Sequence, residues 1–189
     1  MTASRVSPAS STRSKAVFFL AFLALTGCFP AGRADQTETG SALATDSAQS
    51  SGVVGNEDAQ VGQIWYFALP VPFNKSPDTI EITEVAVEHV PAGLKILKYG
   101  AYDLNDTEGL PLLVSEGEKY TPKFEQLKNY ASGPVEVPAE QESTIFYLAK
   151  LQITSPPQGT ARDCRFDYTQ GGKAYSQTLD CEVELKVAQ

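Results

Sequence analysis

Histidine, tryptophan and methionine each occur once in these 189 residues, as His89, Trp65 and Met1, and cysteine occurs three times. Metal sites built on imidazole or thiolate need three or four such ligands, so this inventory nearly excludes them. Basic residues are also short: 15 Lys and Arg stand against 23 Asp and Glu, a net charge of −8. A phosphate backbone demands a basic face, so a nucleic-acid partner is excluded. Electrostatic adhesion to anionic lipid is disfavoured for the same reason. An acidic surface of this kind keeps a protein soluble. No Gly-rich phosphate loop follows a strand pattern, and no cofactor is expected. Long apolar runs are missing too. The longest unbroken one is the ten residues Ala16 to Leu25 (AVFFLAFLAL), against the ~20 that a bilayer-spanning helix needs.

What is present begins at that run. Arg5, Arg13 and Lys15 precede it with no acid among them, and Leu25-Thr26-Gly27-Cys28 closes it. Charge, apolar core and a small-residue cleavage site ending in cysteine resemble the signal peptide of bacterial lipoproteins. The resemblance implies cleavage before Cys28 and acylation of its thiol. The membrane then becomes a partner through the lipid, on the extracytoplasmic face. Two acyl chains give stable anchoring, since each buried CH2 contributes ~0.8 kcal/mol. The rival readings are an ordinary secretory signal and an uncleaved anchor; Phe29-Pro30 with Gly32 and Arg33 stops the apolar run early against the latter. Removal of residues 1–27 takes three cations away, so the remainder falls from −8 to −11.

Three segments follow from this reading: the signal peptide 1–27, a lipidated cysteine with a disordered tether over 28–60, and a folded domain over 61–189. The tether assignment rests on Ser, Thr, Ala, Gly, Asp and Gln without period or apolar content. Residues 29–60, taken as flexible coil, have an r.m.s. reach of about 30 Å.

From Val61 the chain turns aromatic and β-branched. Strands are expected at 61–70, 79–90, 94–101 and 143–154, with a short Pro-containing edge strand at 110–115. In 79–90 the alternation slips: Ile80 and Ile82 share one parity, Val85 and Val87 the other, which predicts a bulge or bend near Thr83. In 143–154, Ile145, Tyr147, Ala149, Leu151 and Ile153 share one face. Thr121 to Ser132 meets the requirements of one short helix, with Pro122 at its first position, and those of a loose loop nearly as well.

Arg162 to Val187 reads as a hairpin, and if Cys28 is lipidated then Cys164 and Cys181 are left to pair outside the cytoplasm. Setting Cys164 opposite Cys181 places Phe166 against Leu179 and makes Gly172-Lys173 a type II′ loop. The competing register makes Gly171-Gly172 the loop and sets the cysteines on a diagonal, with the bridge strained or absent.

Many short strands, turn signals throughout and at most one short helix predict an all-β fold: an immunoglobulin-like antiparallel β-sandwich of about seven or eight strands. The immunoglobulin resemblance is loose, because Trp65 lies on the first strand and the Cys pair sits in the terminal hairpin. The aromatic strand, Gly-Gly turn and return strand are similar to β-sandwich lipoproteins of actinobacteria. That likeness covers the C-terminal third and implies no activity.

Candidate chemistry is sparse. His89 stands at a strand end beside Glu88, and neither Ser115, Ser132 nor Ser143 has a nucleophile-elbow context. Asp103, Asn105, Asp106 and Glu108 offer hard oxygens for Ca²⁺, but an EF-hand loop starting at Asp103 has Glu108 where Gly is needed and Val114 where the bidentate acid belongs. A solvated acidic turn explains them better. Trp65, Tyr66, Tyr99 and Tyr102 are candidates for an exposed aromatic patch facing an envelope protein or a glycan, with a strand covered on both faces as the equal alternative. The expectation is a non-catalytic envelope module held at the cell membrane. A small hydrolase, or a ligand or Ca²⁺ carrier with a site near His89 and the 103–108 loop, is the rival.

Overall fold

The structure is a computed structural model that describes residues 37–45 and 53–188; the signal segment and Cys28 lie outside the described residues. Twelve strands follow in chain order. They are β1 (Glu38–Thr39), β2 (Val54–Ala59), β3 (Ile64–Ala68), β4 (Phe73–Asn74), β5 (Ile80–His89), β6 (Leu94–Asp103), β7 (Leu113–Ser115), β8 (Val135–Val137), β9 (Gln141–Glu142), β10 (Ile145–Ile153), β11 (Ala161–Gln170) and β12 (Lys173–Val187). Two short 3-10 turns, Leu104–Asp106 and Phe124–Gln126, are the helical content among the described residues.

The strands form two facing sheets. One runs β8-β5-β11-β12, with β1 and β2 end to end along the outer edge of β12; the other runs β6-β10-β3-β7. β4 and β9 make a separate two-stranded ribbon. The fold is an all-β sandwich. Its order follows the immunoglobulin scheme: β3, β10 and β6 neighbour one another as the second, fifth and fourth strands do, and β5, β11 and β12 as the third, sixth and seventh do. The departures lie at the edges. β2 joins β12 in parallel, and β7, the edge strand expected from its proline, takes the place beside β3.

Alternation builds the core as the residue pattern predicts. Ile145, Tyr147, Ala149, Leu151 and Ile153 of β10 all point between the sheets, with Trp65 and Phe67 of β3 beside them. Against them come Cys164, Phe166 and Tyr168 of β11 and Leu179, Val183 and Leu185 of β12. Each such aliphatic or aromatic side chain contributes roughly 1.5–3 kcal/mol by leaving water. The bulge in β5 falls where the parity slip places it. Asp167 faces Glu84 and Tyr168 faces Ile82, so Thr83 is the extra residue, and its Oγ1 donates to the Asp167 carbonyl.

Four expectations are corrected. The stretch read as a tether through residue 60 supplies β1, β2 and a buried Leu43. Besides Ala42, Leu43 and Ala59 in the core, it is held through main-chain groups, which a hydrophobicity pattern does not report. Leu43 N donates to Gln177 Oε1 at 3.0 Å, Gln177 Nε2 donates to Leu43 O at 2.8 Å, and Ala42 N donates to Tyr168 Oη at 3.0 Å. Gly40 lies so close to Tyr168 that a Cβ there would fall 2.2 Å from the hydroxyl oxygen. The hairpin takes the competing register: Phe166 faces Gln177, Tyr168 faces Tyr175, and Gly171-Gly172 is the loop. Positive φ at both glycines, 57° and 78°, is the type I′ requirement, whereas II′ needs only the first. Yet the bridge forms. A register shift between Arg162 and Cys164 brings the diagonal cysteines to a Cα separation of 5.7 Å, well inside disulfide range. Thr121–Ser132 forms no α-helix. Thr121 Oγ1 donates to Ser115 O instead of capping, and Phe124 is drawn into an apolar cluster on the outer face of β3 and β10. The fourth concerns the aromatic patch and is taken with the site.

Candidate functional site

His89 ends β5 opposite Arg162 of β11. Its Nδ1 lies 2.7 Å from Oδ2 of Asp163, which also receives Arg162 Nη1 at 3.0 Å. Asp163 sits in the β11–β12 irregularity with φ 65°, a left-handed conformation rare outside glycine. A carboxylate on Nδ1 orients an imidazole as an acyl-transfer relay does. A relay also needs a hydroxyl on Nε2, and among the described residues no side chain makes that contact. The pair is on the surface, His89 being 58% exposed.

The acidic loop is elsewhere. β6 separates Leu94, just past His89, from Asp103, so ten residues of strand put the two places roughly 30 Å apart. Asp103 Oδ1 accepts from Asn105 N at 2.9 Å and from Asn105 Nδ2 at 2.8 Å, which makes it the cap of the 3-10 turn. Among the described residues no three His, Cys, Asp or Glu side chains gather where they could hold a metal ion.

The aromatic candidates are covered rather than exposed. Trp65 is in the main core, and Tyr66 and Tyr102 are buried on the outer face of the β6-β10-β3-β7 sheet. Tyr99 is half-buried, with its hydroxyl accepting from Val87 N at 2.8 Å. Phe124 sits between Tyr66 and Tyr102, with ring centroids at 4.7 and 5.0 Å. The segment after β6 folds back over the sheet, so this strand is covered on both faces. Apolar Phe146 and Leu148, on the outward face of β10, were the available sign of that cover.

The cover is fastened by a polar cluster that sequence reasoning missed. Lys150 Nζ reaches Glu116, lies 3.4 Å from Glu125, and stands 5.1 Å from the centroid of the Tyr66 ring. Tyr66 Oη is 2.9 Å from a carboxylate oxygen of each glutamate, and its one proton serves both. Burial, reinforced by the two carboxylates, pushes the Tyr66 phenol well above its ordinary range. Burial opposes the charge on Lys150, but Glu116 and Tyr66 more than offset it and the ammonium is held above its ordinary value. Lys150 holds Glu116 below the carboxylate range; a backbone hydrogen bond and Tyr66 do the same for Glu125.

A cavity of about 230 Å³ opens on the side of the sandwich between β5 and β6. β8 pairs with β5 only through Ile80–Ile82, so among the described residues no strand neighbours that edge of β5 beyond the Thr83 bulge. Ile82, Thr83 and Val85 line the cavity on one side, Tyr99 and Tyr147 on the other, and Gly133 at the rim. Tyr147 crosses the core from β10, meeting Phe166 edge-on with centroids 5.9 Å apart. It is 4% exposed, and its hydroxyl has no hydrogen-bond partner among the described residues. A buried hydroxyl left that way costs about 1–3 kcal/mol. Burial also pushes the phenol far above its usual range, so it stays a protonated donor.

These features define a class: an immunoglobulin-like β-sandwich with an outer cover, a disulfide in its last hairpin and a cavity on its open side. No known protein family matches the chain, and no curated protein does. Among solved structures it is similar to the Vibrio cholerae VesB protease, at 12% identity and a TM-score of 0.32 over 75% of this chain. The match spans 31% of that protein's chain, and at this level it carries neither fold nor activity.

Proposed function

We propose that the protein is a lipid-anchored, non-catalytic binding module of the cell envelope, held on the extracytoplasmic face of the membrane through Cys28. The observation that carries the reading is the division of the three sulfurs. Cys164 and Cys181 are bridged, and Cys28 ends a Leu-Thr-Gly-Cys sequence behind a basic, then apolar, leader. A structural disulfide belongs to an oxidising compartment, and the leader supplies the route there. Against the hydrolase reading, His89 has its carboxylate but no hydroxyl within reach among the described residues, and the 103–108 loop lies at the other end of β6. Its partner is then met through the domain surface or the cavity, by an envelope protein, a glycan or a small ligand. Cys28→Ser is the test. Wild-type protein is expected in the membrane fraction with an acylated N-terminal cysteine by mass spectrometry, and the variant in the soluble extracytoplasmic fraction. Identical fractionation of the two refutes the anchor.

A further inference from the structure

One side of the sandwich ends in unpaired main chain. β8 covers β5 only as far as Ile82, and β6 is the last strand of its sheet. Among the described residues, the loop before β8 meets that edge of β6 only at Ala101, through Asn129 Oδ1 and Tyr130 N. Tyr99 Oη takes up the Val87 amide, which turns away from β11. Residues 84–89 and 94–99 are therefore two open edges, one in each sheet, on the side where the cavity lies. Open edges invite a further strand.

The two edges carry opposite charge. Val85 and Val87 point into the core, so exposed Glu84 and Glu88 stand on the outer face of β5 with Ala86 between them. Glu84 meets Arg165 at 3.2 Å and Glu88 accepts from Thr178 Oγ1 at 3.1 Å, each through one carboxylate oxygen. On β6, exposed Lys95 and Lys98 stand opposite Gln152 and Lys150 of β10, and among the described residues neither has an acid at ion-pair distance. Lys150 is already held by Glu116 and Glu125. Leu97, the extra residue of the β6 bulge, and Val90, just past β5, add exposed apolar surface. Charge selects what these edges can meet. A second β5 would bring glutamate toward glutamate, and a second β6 lysine toward lysine; like charges across a strand pair are destabilising. β5 against β6 sets acid beside base.

We propose that the protein forms a twofold dimer through this side, β5 of each copy adding antiparallel to β6 of the other, so that both sheets continue across the interface. β5 and β6 run in opposite directions from the turn 90–93. A twofold axis parallel to the strands brings them level, with Glu88 beside Lys95 of the partner subunit and Glu84 diagonal to its Lys98, twice over. The same axis leaves β1 at one end of both copies, as two anchors in one membrane require. The dimer goes beyond the reading of a binding module and does not depend on the lipid. Fractionation of Cys28→Ser tests the anchor, and association tests the dimer.

The full-length protein is taken as it fractionates, in detergent if it comes from the membrane, and its mass is followed by sedimentation. Wild type is expected as a dimer. Carbodiimide, which condenses a carboxylate with an amine in contact, is expected to link peptides holding Glu88 and Lys95 between copies in an isotope-mixed preparation. Lys95→Glu with Lys98→Glu, and Glu84→Lys with Glu88→Lys, each give both edges one sign. Each variant alone is expected to dimerise roughly 100-fold more weakly or worse, the penalty of like charges facing across an interface. Mixed in equal amounts, the two are expected to recover a dimer holding one copy of each, which also shows that both are folded. Should either fail to fold, the wild-type link peptide decides. The proposal is overturned by a monomeric wild type, by links that join only other surfaces, by an unchanged dimer in either variant, or by two folded variants that stay monomeric when mixed.

Discussion

Leu43 lies inside a stretch whose composition reads as a tether, yet it is fully buried, at 0% exposed. If residues 37–45 were a spacer, trimming this side chain would change stability by no more than about 0.5 kcal/mol, as surface substitutions do. The structure requires much more. Leu→Ala at a buried site costs about 2–5 kcal/mol, the larger values arising where the surroundings cannot collapse into the space. Here they are held apart. Gly40 N donates to Ser176 O at 2.7 Å, Ala44 N to Phe73 O at 2.9 Å, and Lys75 N to Ala42 O at 2.8 Å. None of these bonds uses the Leu43 side chain, so the strap stays docked over the space left behind. The upper bound is the energy of releasing the strap locally, which places the expected loss near 3 kcal/mol. For a domain of this size that is a fall in melting temperature of about 6–12 °C. Urea unfolding of the full chain with Cys28→Ser, followed by fluorescence of the buried Trp65, measures it. Thr39→Ala, at an exposed position of β1, is the control and is expected to be silent. A Leu43→Ala midpoint that coincides with the control would refute the placement of the strap.

Two further predictions concern how the fold is fastened. Replacing both Cys164 and Cys181 by alanine opens a link of sequence separation 17 and is expected to lower stability by about 3 kcal/mol in the chain-entropy model, read as a shift in urea midpoint; an unchanged midpoint refutes the bridge as a stabiliser. Lys150→Met is expected to flatten the pH profile of stability at both ends. Lys150 is the main cause of the depression of Glu116, so that contribution is complete above the unfolded carboxylate value of about 4.3 and is lost as pH falls through the lower folded value, while Glu125, held down mainly by a backbone hydrogen bond and Tyr66, keeps its own. Lys150 is raised, so its contribution is complete below about 10.4 and is lost as pH rises through its higher folded value. Urea midpoints of both proteins from pH 2.5 to 11 decide it, and superimposable profiles would remove the cluster from the account.

What was legible in the residues is what period-2 patterning reports. The inward face of β10, the strand character of β5 and the Thr83 bulge all follow from parity, because burial between two sheets selects alternate positions. The hairpin register was legible only as a choice of two. Parity is the same in both, and the irregularity at Asp163 that lets diagonal cysteines meet leaves no hydrophobic trace. The strap was illegible for a different reason: Gly40, Ala42 and Leu43 dock through their amides onto the Ser176 carbonyl, the Tyr168 hydroxyl and the Gln177 side chain. The aromatic candidates failed through a three-body effect. Tyr66 and Tyr102 look available until Phe124, 58 residues past the first and 22 past the second, is laid between them.

The strap also bears on the proposed anchor. With β1 beginning at Glu38, only ten residue steps separate it from Cys28, so the connection spans at most roughly 35 Å. That is about a third of the full reach of a tether running to residue 60. The shorter span is still sufficient for the one task electrostatics sets. Under the proposed anchoring, loss of the leader would leave a chain at −11 that an anionic leaflet repels, and that field decays over a Debye length of ~8 Å at physiological salt. The fully extended limit of ten residue steps exceeds several such lengths. Residues 38–45 and 54–59 are therefore not needed as spacer and are available to extend the sandwich at the open edge of β12, where two parallel strands cover main-chain groups that would otherwise invite edge-to-edge pairing.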